Sequence, residues 1–198
     1  MSAIVGVLAL QGDAPEHFAI AEEVVGSKRV REVRTPEDLA QVSALLLPGG
    51  ESTTLSRLLD DSGLRNPLRQ RAQEGFPLFA TCAGLILVAK ELEPSRHGRD
   101  PRPLGLLDVK VRRNDYGRQT DSFEASLPVE GLGSEFPAVF IRAPRILSSG
   151  PGVTVLARHQ GAPVLVRQGN LWGLTFHPEI AGDPRLHARF LRESGILG

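Results

Sequence analysis

The sequence predicts an α/β fold: a three-layer sandwich around a mostly parallel central sheet with antiparallel additions. Three observations carry that prediction. The apolar runs Ile4–Leu10, Ala44–Leu47 and Pro77–Thr81 show no polar alternation, as expected of strands buried on both faces. Helix-like segments separate them between Ile4 and Leu92, the pattern of a layered α/β sheet. From Leu104 short strand-like segments dominate, so the sheet gains antiparallel strands in its second half.

The elements follow in order. After the first run, Gln11-Gly12-Asp13 turns the chain, and Asp13 is placed to cap a helix opening at Ala14-Pro15-Glu16. Phe18, Ile20-Ala21 and Val24-Val25 give that helix its buried side, and a weaker strand spans Arg29 to Val33. The strand Ala44–Leu47 is stopped by Pro48-Gly49-Gly50, after which Ser52 or Thr53 caps a helix through Leu55, Leu58 and Leu59. A helix over residues 67–74 leads into the strand Pro77–Thr81, and residues 83–92 read as helix. The later strands are Leu106–Arg112, Ser122–Leu127, Ala138–Arg142, Val153–Arg158, Pro163–Arg167 and Trp172–Thr175, with a last helix after Asp183-Pro184. The polar, proline-rich stretch Glu93–Pro103 reads as a surface loop. No repeat or linker divides the chain, which is expected to form one domain over residues 1–198.

Composition narrows the function. The 23 basic and 23 acidic residues balance, which argues against nucleic acid or an anionic membrane as the main partner. A single cysteine excludes an internal disulfide and a cysteine-only metal cluster, and it suits a reducing compartment. No apolar run approaches the ~20 residues needed to span a bilayer, and the first residues lack a basic secretory leader, so a cytoplasmic protein is expected.

Cys82 lies between an apolar strand and an apolar helix in Ala80-Thr81-Cys82-Ala83-Gly84. Small residues two positions to either side let strand and helix approach around a nucleophile on a tight turn. The following helix aims its first N–H groups at the sulfur, favouring a thiolate and an oxyanion formed by its attack. The alternative is an inert buried thiol. A thiolate of this kind requires a base. His17, His97 and His187 read most simply as surface residues, and His159 is a weak candidate at a strand end. His177 follows the apolar strand and precedes Pro178-Glu179; Glu179 can accept a hydrogen bond from its second ring nitrogen, as the third member of a triad does. The turn Pro48-Gly49-Gly50-Glu51-Ser52-Thr53-Thr54 makes a concavity of backbone amides suited to an anion.

These features resemble the class I glutamine amidotransferases, whose glutaminase domains use a Cys-His-Glu triad on a flavodoxin-like α/β sheet. Within them, Val7-Leu8-Ala9-Leu10-Gln11-Gly12, Arg113-Asn114 with Gly117-Arg118-Gln119, Asp121-Ser122-Phe123-Glu124 and Phe140-Ile141-Arg142-Ala143-Pro144 resemble the glutaminase subunits of pyridoxal 5'-phosphate synthase over nearly the whole chain. The resemblance implies Cys82 as nucleophile, His177 as general base and acid, and Glu179 as its orienting partner. It implies that Gly50, Glu51, Ser52, Arg113, Ile141 and Arg142 bind L-glutamine, that the Gly50 and Ala83 amides form the oxyanion hole, and that Gln11 lies near the centre or a partner interface. An arginine suits the substrate's α-carboxylate, since the match can be bidentate. No metal or organic cofactor is implied.

The implied activity is hydrolysis of glutamine to glutamate and ammonia. The ammonia passes to a synthase subunit that makes pyridoxal 5'-phosphate, in a hetero-oligomer with glutaminases around a synthase ring, and both hydrolase and lyase classes are expected. The residues leave open a glutaminase of another pathway, a cysteine hydrolase or redox protein of the DJ-1/PfpI type, and a binding module without catalysis. Ala80 departs from the Gly common in such elbows, and Tyr116 stands where another aromatic would serve.

Overall fold

A computed structural model describes residues 3–95, 100–113 and 122–197. Its central sheet has seven strands in the order β10-β11-β12-β4-β3-β1-β2. These are β1 (Val5–Leu8), β2 (Val30–Val33), β3 (Ala44–Leu47), β4 (Leu78–Thr81), β10 (Thr154–His159), β11 (Ala162–Gln168) and β12 (Leu171–Leu174). The five strands from β12 to β2 run parallel, and β10 and β11 join antiparallel at the β12 edge. The absence of alternation in the sequence is explained by burial on both faces. Leu45, Leu47, Leu78 and Ala80 pack on one side with Leu55, Leu59 and Leu68. Val5, Val7, Ala44, Leu46, Phe79 and Trp172 pack on the other with Ala21, Leu186 and Phe190.

The helices are α1 (Ala14–Val25), α2 (Pro36–Ala40), α3 (Ser52–Asp61), α4 (Arg65–Gln73), α5 (Ala83–Val88) and α6 (Arg185–Glu193). Three expectations need correction. Helix α3 is capped by Glu51 rather than by Ser52 or Thr53: its carboxylate accepts from the Thr53 and Thr54 amides at 3.0 and 2.6 Å. A carboxylate at a helix N-terminus satisfies two otherwise orphaned donors and meets the positive end of the helix dipole. The helix read over residues 83–92 stops at Val88, where Ala89 turns extended and begins β5 (Ala89–Leu92). Every residue of α5 is buried, whereas Ala89 is buried and Lys90 and Glu91 are exposed, so the helical pattern ends there. The third correction concerns the later strands, only some of which join the main sheet. β5, β6 (Leu107–Arg112) and β9 (Arg145–Ser149) form a small sheet, and β7 (Phe123–Leu127) pairs with β8 (Phe136–Phe140).

The capping-box helix α2 and strand β9 were not legible in the sequence. Thr35 and Asp38 cap α2 reciprocally. Among the described residues no helix is long and apolar enough to cross a membrane.

Candidate active site

Four adjacent parallel strands, β12, β4, β3 and β1, end at one edge of the sheet. The residues that follow them are His177–Glu179, Cys82, Gly49–Glu51 and Gln11–Asp13. This is the edge at which open α/β sheets place their sites.

Cys82 sits on the turn between β4 and α5 with φ 49° and ψ −102°, in the left-handed half of the map that non-glycine residues rarely occupy. Its amide donates to the Leu174 carbonyl at 2.9 Å, tying the elbow to the end of β12. Glycine is required two residues on: a Cβ at Gly84 would stand 2.4 Å from the Leu47 carbonyl oxygen. Cys82 is 8% exposed, with Sγ 4.0 Å from the Ile141 carbonyl oxygen.

His177 is held from several sides. Its amide donates to the Val139 carbonyl at 2.8 Å, so the β7–β8 ribbon fixes the residue across the site. Its Nδ1 lies 2.7 Å from Glu179 Oε1 and 3.3 Å from Asp13 Oδ2, and its ring also contacts the Cys82 side chain. Burial opposes charge on this imidazole, but hydrogen bonds with Asp13, Cys82 and Glu179 outweigh it, and its pKa is pushed up to about 12. Burial raises the Glu179 carboxyl above its ordinary range, against the pull of His177. Gly49 is the close-approach position opposite: a Cβ there would lie 2.5 Å from His177 Cε1 and 2.6 Å from Asp13 Oδ2.

A cavity of ≈ 160 Å³ opens in front of Cys82 and His177. It brings together Gly50, Glu51, Ser52, Arg113, Ile141 and Arg142, six of the residues named from the sequence. The Glu51 amide donates to Gln11 Oε1 at 3.2 Å, and Gln11 packs against Gly50, so the β3–α3 turn rests on the β1–α1 turn. Burial of the Glu51 carboxyl is outweighed by the donors from Thr53 and Thr54, which hold its pKa below the usual carboxylate value. Arg113 contacts Asp100 at 3.2 Å and Glu51 at 3.6 Å. Arg142 is exposed at the rim with φ 43°. Glu179 stands behind His177, out of the cavity, and Ala83 is buried at the start of α5.

Other expectations resolve differently. His17 and His187, read as surface residues, are each 0% exposed. The spacing of His17 from Ile20 and Ala21, and of His187 from Phe190 and Leu191, placed both on buried helix stripes; that signal was available. Asp13 makes no side-chain capping bond to α1; its carboxylate faces His177, a role the sequence reading missed. His159 packs with its ring tilted against Phe123 and Phe140, with ring centroids at 5.3 and 5.4 Å, and does not line the cavity. His97, Asn114, Tyr116, Gly117, Arg118, Gln119 and Asp121 lie outside the described residues.

Comparison with known proteins agrees with this architecture. Residues 7–195 match the model of the SNO glutamine amidotransferase family. The chain is 50% identical over 188 residues to the pyridoxal 5'-phosphate synthase subunit PdxT of Mycolicibacterium vanbaalenii, covering 94% of this chain and 95% of that one. It is 49% identical to PdxT of Bacillus velezensis, covering 95% and 93%. A crystal structure of a glutamine amidotransferase superposes with a TM-score of 0.89 at 48% identity, over 98% of this chain and all of that one. PurLQS from Thermotoga maritima shares the fold at 16% identity, with a TM-score of 0.70 over 98% and 97% of the two chains. The expected lyase class is overturned: the family that the chain matches is one of glutamine amidotransferases. The chain belongs to the SNO glutamine amidotransferase family.

Proposed function

We propose that residues 1–198 form one glutaminase domain, the ammonia-supplying subunit of a pyridoxal 5'-phosphate synthase, working in the cytoplasm. The observation that carries the reading is the placement of His177 between the Cys82 side chain and Glu179 at the mouth of one cavity, in a chain about half identical to PdxT proteins.

The proton shared by Cys82 and His177 rests on the imidazole, and the sulfur attacks the side-chain amide carbon of L-glutamine. The C–S bond forms as the carbonyl π bond opens to an oxyanion, which the Gly50 and Ala83 amides receive. His177 protonates the departing nitrogen, the C–N bond breaks, and ammonia leaves a glutamyl thioester. A water then gives a proton to His177 and adds to the thioester carbon. Collapse of that second oxyanion expels the Cys82 sulfur and yields glutamate. Glu179 holds the His177 Nδ1–H throughout and balances the imidazolium.

The substrate's α-carboxylate would displace the acidic neighbours Glu51 and Asp100 on Arg113 and meet Arg142 at the rim, with Ser52 also lining the cavity. These steps use protein groups and water. Ammonia released into bulk water at neutral pH is mostly protonated and lost, which favours delivery to a synthase partner; the arrangement of glutaminases around a synthase ring follows from the family resemblance. A DJ-1/PfpI-type redox role is disfavoured by the full-length match to amidotransferases.

The test is glutamate release from glutamine with and without a pyridoxal 5'-phosphate synthase subunit. Stimulated release is expected, with Cys82→Ala lowering it at least about 10⁴-fold, as loss of a covalent nucleophile does. Release indifferent to the synthase would move the chain to another pathway, and no release in either condition would sink the glutaminase reading.

A further inference from the structure

Behind the triad lies a polar chain that the reaction above does not use. His17 on α1 and His187 on α6 meet under the sheet edge, with Nδ1 of His17 3.2 Å from Nε2 of His187. The other nitrogen of His17, Nε2, lies 3.0 Å from Thr81 Oγ1, on the residue preceding Cys82. The same Nε2 is 3.3 Å from Glu179 Oε2, the carboxylate oxygen turned away from His177. Both side chains of that last contact are 0% exposed, so no bulk water can serve Oε2. It has no formed hydrogen bond among the described residues.

The hydrogen bonds fix which nitrogens carry protons. Thr81 has one hydroxyl hydrogen, and the Leu47 carbonyl at 3.4 Å takes it. Thr81 Oγ1 must then accept from His17, which makes Nε2 the protonated nitrogen. That N–H also faces Glu179 Oε2, where a bare nitrogen would set lone pair against carboxylate. Nδ1 of His17 is consequently an acceptor and receives the Nε2–H of His187. His187 Nδ1 is left as a bare, buried acceptor without a partner. The opposite tautomer would bury an unpaired N–H there and leave Oε2 facing a lone pair, two costs instead of one.

We propose that His17 is a positioning residue for the catalytic carboxylate: its Nε2–H, oriented by His187 and shared with Thr81, holds Glu179 Oε2 so that Oε1 stays aligned on His177. The proposal rests on the glutaminase reading for the role of Glu179. Burial keeps both supporting imidazoles neutral, depressing His17 well below its ordinary value and His187 to about 3. The charged or titratable groups facing the pair are Glu179, His177 and Asp183, and Phe79 closes the pocket, its ring centroid 4.8 Å from His187.

The test exploits the lone cysteine, since alkylation by iodoacetamide reads Cys82 alone. Glutamine at position 17 can present an amide N–H near the place of Nε2, whereas asparagine presents one near Nδ1; the two variants have the same polarity. His17→Asn and His17→Leu are expected to shift the pH profile of Cys82 alkylation. They should also lower kcat of synthase-stimulated glutamate release about tenfold with KM little changed, the lower value of a hydrogen bond to a charged group. His17→Gln should recover at least about threefold of that loss, roughly half the hydrogen bond's free energy. If Asn matches or exceeds Gln in alkylation profile and in kcat, the proposal is overturned, and His17 is packing. If His17→Leu fails to fold, the Asn and Gln pair still decides. Should the wild type release no glutamate with the synthase, the glutaminase reading fails on that result alone, while the alkylation profiles still decide whether His17 supports the Cys82–His177–Glu179 chain.

Discussion

Glu179 separates two groups of imidazoles that burial treats alike and their neighbours do not. On its Oε1 side His177 is 3% exposed and pushed up to about 12. On its Oε2 side His187 is 0% exposed and pushed down to about 3. Desolvation disfavours the cation in both places. His177 overcomes it because Asp13, Cys82 and Glu179 all face it. His187 meets one imidazole, the ring of Phe79 and the distant charge of Asp183. The lesson is that a histidine's role here follows from the number of anionic partners it meets. One group is equipped to carry a proton, and the other to hold a carboxylate without carrying one.

The sharpest way to break this comparison is to remove the charge that both sides share. Glu179→Gln keeps the shape but presents a neutral amide to His177 Nδ1 and to His17 Nε2 alike. We expect kcat for synthase-stimulated glutamate release to fall about 10³- to 10⁴-fold, the scale seen when a triad carboxylate becomes an amide. A loss under tenfold would mean that Asp13 alone can orient His177.

The second prediction concerns acid stability and isolates the neutral side. His187 titrates near 6.5 in the unfolded chain and at about 3 in the folded one. Below about pH 6.5 the unfolded chain takes up a proton that the folded chain refuses, so stability is full above that pH and falls progressively toward pH 3. His187→Phe removes this site. The fall in melting free energy between pH 7 and 5 should shrink by up to about 1.4 kcal/mol per pH unit, the limit for one proton. Denaturant melts at a series of pH values measure the slope; an unchanged slope would show that His187 is not the buried neutral base described above.

The sequence disclosed the catalytic side of this comparison better than the supporting side, for physical reasons. Cys82 and His177 announce themselves because each follows an apolar strand buried on both faces and is flanked by residues a tight turn requires, Gly84 and Pro178. His17 and His187 were misread because polar residues on a helix default to the solvent face, and only their spacing from buried neighbours argues otherwise. Asp13 was ambiguous in a different way: a carboxylate before a helix reads as a cap, and only the approach of β12 to β1 across two strands turns it toward His177. Glu51 shows the converse, a presumed substrate residue that also caps α3. The parallel strands were legible one by one. The small sheets of β5-β6-β9 and β7-β8 were not, because partner choice among short strands depends on tertiary contacts.

The smallest effect belongs to Asp13, the second carboxylate on His177. It is partly exposed, lines the cavity and lies 3.3 Å from Nδ1, farther than Glu179 at 2.7 Å. The contact lowers the Asp13 carboxyl's own pKa, the imidazole's hydrogen bond outweighing burial. Because His177 is raised in the folded state, its contribution to stability is complete below about pH 6.5 and is lost as pH climbs toward about 12. Asp13→Asn replaces a charge by a dipole and should shorten that range from the alkaline end. In the wild type the His177 ring signals in an NMR titration should stay at their imidazolium positions between about pH 6 and 9. In Asp13→Asn they should begin to move near the top of this interval, with kcat changed less than about tenfold, since Glu179 still orients the ring. Ring signals in the variant that stay fixed over the whole interval would assign the imidazolium to Glu179 and Cys82 alone. Asp13 would then be a wall of the cavity, and the charged side of Glu179 would rest on one carboxylate, as the neutral side does.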